Sequence, residues 1–386
     1  MMSPADIFAN LAADPGVDTV HINHMDSFFG PDGLSIDTGL VPPQHFADGA
    51  SKRLDPSIAN LFDDGFTALE VWQGTSRNNI LARFMDRNLG DWFNLINQGI
   101  VRTGYAVSDT HRQVATQSGF PRTYVASATD DPGALAALAE TLATNVNAGR
   151  AVGSNGPFIR VTTEAASTGE NGGLALGLPI TISTSNGSAT VTVDIQSPLW
   201  AQFDTVEYYI NNVPAADDYD NDASTPPFYR VTPDVVQVAG VDFAVNTVND
   251  FPAIPGASHL EATTSITLNG LTEDTWVVVL VRGTDDVSEP IFPVVPNNIS
   301  SGSNPTLADL IDGNLGESGV PATAFSNPLF IDVAPAAVGG IALDSDLRSL
   351  PLEAAGPGSA PWAIVIAAIA ALASLVGASW YARRPA

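Results

Sequence analysis

The sequence predicts an α/β region over residues 1–150, an all-β sandwich-like domain over 151–335 and a single C-terminal transmembrane helix over 361–382. Three observations predict it. The first part carries short apolar runs separated by stretches of helical period. From Ala151 onward the texture changes to alternating apolar and polar residues with turn signals between them. The end of the chain, Trp362 to Tyr381, is a stretch without a charge, rich in Ala, Ile, Leu and Val.

Taken in order, Ser3-Pro4 reads as an N-cap followed by a first helical position, opening a helix over 3–13. A strand follows at 17–23. Residues 30–53 are rich in Gly, Pro and Asp and read as a long loop carrying His45. A helix from Asp55 to about Asp63 precedes a strand at 66–72. Apolar residues at Ile80, Leu81, Phe84, Met85, Leu89, Trp92, Phe93, Leu95 and Ile96 predict one or two helices over 78–99, stopped by Gly99. A strand at 100–107 comes next, then an Ala- and Leu-rich helix from Pro132 to Gly149.

In the second part, 181–185 and 189–195 flank Asn186-Gly187, which predicts a hairpin. Residues 206–210 and 276–281 read as further strands. Residues 336–360 form an Ala-, Gly- and Pro-rich linker, and 383–386 a short basic tail.

The chemistry sits where the early strands end. Val20-His21-Ile22-Asn23-His24 ends in His, Phe66 to Trp72 carries Glu70, and Val101 to Val107 leads to Asp109-Thr110-His111. Side chains two apart on extended backbone point the same way, so Asp109 and His111 can reach one ion. His, Asp and Glu at successive strand ends suit a hydrolytic metal site. Asp218, Asp220 and Asp222 have the spacing that opens a calcium loop, but Ala223 stands where the turn glycine belongs, so a solvated acidic loop is the reading. No Gly-x-Ser-x-Gly elbow supports serine chemistry.

These residues resemble the PHP (polymerase and histidinol phosphatase) superfamily, nearest to the CehA/McbA-type metallohydrolases. The resemblance is carried by Asn23-His24, Ala68-Leu69-Glu70-Val71-Trp72-Gln73-Gly74, Asp91 to Gly99, Ser108 to Arg112, Gly119 to Val125, Gly149 to Phe158 and Ala324 to Val333. It implies a distorted α/β barrel, of which residues 1–150 are the C-terminal half, followed by the β-rich region. It also implies divalent metal ions (Zn, Mn or Fe) held by His24, Asp109 and His111, with Glu70 as ligand or base. By its chemistry a guanidinium at Arg112 or Arg122 would either grip an anionic small-molecule ester or phosphoester or salt-bridge a barrel Asp. The family's opening His-x-His pair has no counterpart here. Met1 to Asp6 also lacks the basic start and apolar stretch of an export signal. Both gaps predict an N-terminally truncated hydrolase with an incomplete metal site. The alternative is a non-catalytic cell-surface protein on a degenerate scaffold of that family.

Composition bounds the rest. With 45% apolar and 15% charged residues the chain has the material for folded cores. Its net charge of −27, from 42 acidic against 15 basic residues, argues against binding a nucleic-acid backbone. There is no cysteine, hence no disulfide, thiolate ligand or cysteine nucleophile. About twenty helical residues span the roughly 30 Å of a hydrocarbon core. Trp362, Trp380 and Tyr381 stand at its ends and Arg383-Arg384 just beyond. That pattern predicts a cytoplasmic C-terminus, with residues 1–360 outside the cytoplasm.

Overall fold

A computed structural model describes residues 4–23, 63–74, 84–85, 88–109, 119, 121–129, 131–165, 169–172, 180–183, 187–217, 228–250, 258–283 and 321–334. The chain divides into two units, Met1–Ala336 and Ala337–Ala386, and every described residue belongs to the first. In chain order, a helix Pro4–Ala13 leads to β1 (His21–Ile22) and β2 (Ala68–Gln73). A helix Leu89–Asn97 precedes β3 (Thr103–Val107) and β4 (Arg122–Val125). Short helices Pro132–Leu135 and Ala139–Asn147 follow. The chain is then almost all strand. The run begins with β5 (Ala151–Ser154), β6 (Phe158–Ala165), β7 (Gly169–Gly172), β8 (Ile180–Ser183) and β9 (Ser188–Pro198). It continues through β10 (Thr205–Ile210), β11 (Ala215–Asp217), β12 (Phe228–Arg230), β13 (Val235–Val238) and β14 (Asn246–Asn249). The last strands are β15 (Ser258–Asn269), β16 (Thr275–Arg282), β17 (Thr323–Ser326) and β18 (Leu329–Ala334).

Two layers face each other, the smaller antiparallel and the larger antiparallel except for the β8–β18 pair. One is the five-stranded sheet β14-β15-β9-β6-β7. The other is an eight-stranded sheet with the path β13-β10-β16-β17-β5-β4, to which β18 and β8 are joined beside β16. On β9, Ala189, Val191, Val193 and Ile195 are buried while the residues between them are not, the period of two that one buried face requires. They meet Val206 and Tyr208 of β10, Val277, Val279 and Val281 of β16, and Leu329, Ile331 and Val333 of β18.

The far face of the larger sheet is also covered. Trp276, Val278 and Leu280 of β16, Tyr209 of β10 and Phe325 of β17 pack against Trp72, Phe84, Trp92 and Phe93. Its rings are in direct contact: Trp72 lies stacked on Phe84 at 5.2 Å, and Trp92 meets Phe325 edge-on at 5.8 Å. Burial on both faces explains why β16 reads as an unbroken apolar run. Each such side chain contributes about 1.5–3 kcal/mol. This second core draws residues from both sides of the 150/151 boundary expected from the sequence.

Several expectations are corrected here. The fold is mostly β-sheet with few helices, and no α/β barrel closes among the described residues. The parallel strands β1, β2 and β3 form a three-stranded sheet, and the next strand, β4, pairs antiparallel with β5 instead of extending it. The strands flanking Asn186-Gly187 do not pair with each other as the sequence suggests: β8 pairs in parallel with β18, while β9 lies in the other sheet between β15 and β6. No helix among the described residues is long and apolar enough to cross a membrane. The expected span 361–382 lies outside the described residues, as do the linker and the basic tail. The expected transmembrane anchor, and the extracytoplasmic placement that depended on it, thus have no counterpart among the described residues.

Candidate functional site

The three parallel strands run in register, His21 beside Ala68 and Ala68 beside Thr103. Parallel sheets gather functional side chains at their carboxyl ends, where the strands stop together. One face of this sheet is apolar: Gly104 of β3 lies so close to Trp92 and Val71 that a Cβ there would stand 2.8 Å from each. The other face carries His21, Glu70 and Tyr105, since residues in register or two apart share a side.

Between Glu70 and Trp72 the pairing with β3 shifts by one residue, a bulge at Val71. Asn88 bonds the Val71 carbonyl at 2.7 Å and helps hold the bulge. Beyond it, Gln73 pairs with Val107, and the Gly74 amide donates to the Val107 carbonyl at 2.9 Å. Glu70 and Gln73 are both buried, at 3% and 8% exposure.

Asp109 stands two residues past β3 with φ of 48°, in the left-handed region that Asp tolerates better than most residues. Its Oδ2 accepts a hydrogen bond from Gln73 Nε2 at 2.6 Å. The extended backbone that would aim Asp109 and His111 in one direction is thus broken at Asp109 itself.

On the polar face, the Tyr105 hydroxyl donates to Asn23 Oδ1 at 2.5 Å, and the Tyr105 and His21 rings lie 4.7 Å apart. Burial pushes the Tyr105 phenol well above its ordinary range, and the negative charge of Glu70 pushes it further, so it stays a neutral donor. Burial also lowers His21 below its ordinary value. His21 is exposed as a residue, yet its ring is partly shielded from solvent and lies beside Tyr105.

The sequence-predicted residues divide as follows. Glu70 and Asp109 lie on adjacent strands of this sheet or just beyond it. His24, His111 and Arg112 lie outside the described residues, as do His45 and the acidic segment 218–222. Arg122 opens β4, where its guanidinium lies 5.6 Å from the centre of the Tyr124 ring. Among the described residues no group of three His, Asp or Glu side chains is placed to hold a metal ion. The metal-binding and hydrolase labels taken from the sequence therefore find no support in the described residues. Carboxylate oxygens are suitable donors for Zn, Mn or Fe, but Glu70 and Asp109 do not make a complete site. Asn23, Gln73, Tyr105 and His21 were not predicted as site residues. The signal for Tyr105 was its placement two residues past Thr103 on β3, facing as Glu70 does.

No family model matches the chain, and no curated protein matches it.

Proposed function

We propose that the carboxyl edge of the β1-β2-β3 sheet is a binding site for a small polar molecule. The observation that carries this reading is the state of Asp109: it sits in left-handed backbone at a strand end, its carboxylate bonded by a buried Gln73 from the neighbouring strand. Conformations of that kind cluster at ligand sites, and parallel sheets bind ligands at this edge.

The finer reading, supported by the resemblance of the flanking segments, is metal-assisted hydrolysis of an ester or phosphoester. His24 directly follows Asn23 in the sequence and His111 comes two residues after Asp109. In this reading Asp109 is a ligand and Glu70 a ligand or base. A Zn, Mn or Fe ion would supply Lewis acidity and make water a stronger acid. Arg112 would steady negative charge on the substrate. The second reading is a binding protein without catalysis, which the left-handed Asp109 and its bond from Gln73 suit equally.

Elemental analysis of the full chain tests both, beside Asp109→Asn and His111→Ala, with hydrolysis of p-nitrophenyl acetate and bis-p-nitrophenyl phosphate on the same samples. Stoichiometric metal and turnover, both lost in the two variants, support the hydrolase. A wild-type chain that takes up no metal and turns over neither substrate leaves the binding protein.

A further inference from the structure

We propose that Gln73 is a positioning residue, whose task is to hold the Asp109 carboxylate for a cationic ligand without neutralising it; this rests on the reading of Asp109 as a ligand-binding group. The geometry is specific. Gln73 is fixed from both sides along the chain: the Trp72 indole N–H donates to the Gly74 carbonyl at 3.2 Å, and the Gly74 amide donates to Val107 at 2.9 Å. The residue is buried at 8% exposure, so its amide has little freedom. From that anchored position it reaches across to the next strand and bonds Asp109 Oδ2 at 2.6 Å.

The choice of side chain matters chemically. A Lys or Arg here would pair with the carboxylate and cancel its charge toward a ligand. A Glu would repel it. A primary amide donates one hydrogen bond and leaves the net charge of the pair at −1. Carboxylates that bind cations are held by outer partners of this kind, whose removal typically weakens binding about 10- to 100-fold. Left-handed backbone at Asp109 makes such a partner more necessary, because the main chain alone does not favour that conformation.

The test is a double-mutant cycle on the full chain, read as Mn2+ affinity by electron paramagnetic resonance in about 0.15 M salt, where loose surface binding to this acidic chain is screened. The variants are Gln73→Met, which keeps shape and removes the donor, Asp109→Asn, and the double variant. Urea unfolding midpoints are measured on each. The expected result is Mn2+ binding weakened about tenfold or more by Gln73→Met alone, with no further loss when it is added to Asp109→Asn. Equal losses in both backgrounds would show that Gln73 acts elsewhere and overturn the proposal. So would wild-type affinity in Gln73→Met alongside a loss in Asp109→Asn, which leaves the functional reading standing. A wild-type chain that binds no Mn2+ removes the metal-assisted reading of the site and overturns this role with it, and leaves only the binding-protein reading.

Discussion

Asn327 grips Gly104 by both its backbone N–H and its backbone C=O, although the two residues are far apart in sequence. The Gly104 amide donates to Asn327 Oδ1 at 2.7 Å, and Asn327 Nδ2 donates back to the Gly104 carbonyl at 3.0 Å. A second bond from Nδ2 reaches the Ala151 carbonyl at 2.9 Å. The side chain acts as a strand partner that ties β3 of the parallel sheet to β5 of the large sheet, fully buried between them.

Replacing Asn327 by Leu leaves a buried N–H and two carbonyls without these bonds. Unmade bonds of that kind cost about 1–3 kcal/mol each, so a loss on the order of 3–5 kcal/mol is expected. Asn327→Asp is expected to be no better, because both donors vanish and a charge faces two carbonyl oxygens. Urea unfolding of the full chain, followed by tryptophan fluorescence, measures both. A midpoint within error of wild type would show that the clamp carries no weight.

The same corner shows what was legible in the sequence. The period of two on β9 and the apolar run of β16 gave their strands directly, because each reflects which faces are buried. The helix Leu89–Asn97 was legible through Leu89, Trp92, Phe93 and Ile96, with Gly99 in left-handed backbone past its end. Pairing was not legible. Asn186-Gly187 suggested a local hairpin, but the partners of β8 and β9 lie in two different sheets, and burial in the core between those sheets decides that choice. Asn155 and Asn327 fell in segments read for their family likeness, and both are buried hydrogen-bonding struts. At the site, Asp109 was legible as a carboxylate at a strand end. Gln73 was not, because the bulge at Val71 and the left-handed turn at Asp109 both break the alternation from which side-chain direction is read.

Gly153 lies directly across from Phe325 in the β5–β17 pair. A Cβ on Gly153 would stand 2.1 Å from Phe325 Cε1 and 2.9 Å from the Ala106 Cβ. The ring has little room to yield, since Trp72, Phe84 and Trp92 surround it. Gly153→Ala is expected to cost about 1–3 kcal/mol. Adding Phe325→Leu should recover part of that loss, giving non-additive melting temperatures. Strict additivity of the two changes would refute the contact.

Glu207 is the buried acid of the large sheet, accepting from Arg282 Nε at 2.7 Å and from the Tyr209 hydroxyl at 2.8 Å. Arg282 is itself 30% exposed on its side chain, so its removal lets some water in. Arg282→Met is therefore expected to cost about 2–3 kcal/mol, less than the full penalty for stranding a buried charge. Glu207→Gln keeps an acceptor for Arg282 or Tyr209 and should cost less than Arg282→Met. The reverse order in denaturant titrations would show that the burden lies on the acid's charge.

His21 makes stability depend on pH in a defined direction. Its folded pKa lies below the ordinary value of 6.5, because partial burial disfavours the imidazolium. Between the folded pKa and 6.5 the unfolded chain binds more protons at this site than the folded one, so stability rises with pH across that window. Above 6.5 His21 is neutral in both states and its contribution is level. As pH falls through the window the folded state loses ground, until the imidazole is protonated in both states. Comparison of wild type with His21→Gln in unfolding titrations from pH 8 to pH 5 isolates this residue from the other histidines. The stability difference between the two chains should move against wild type as pH falls, and a difference that is flat, or that favours wild type in acid, would contradict the partial burial of the His21 ring.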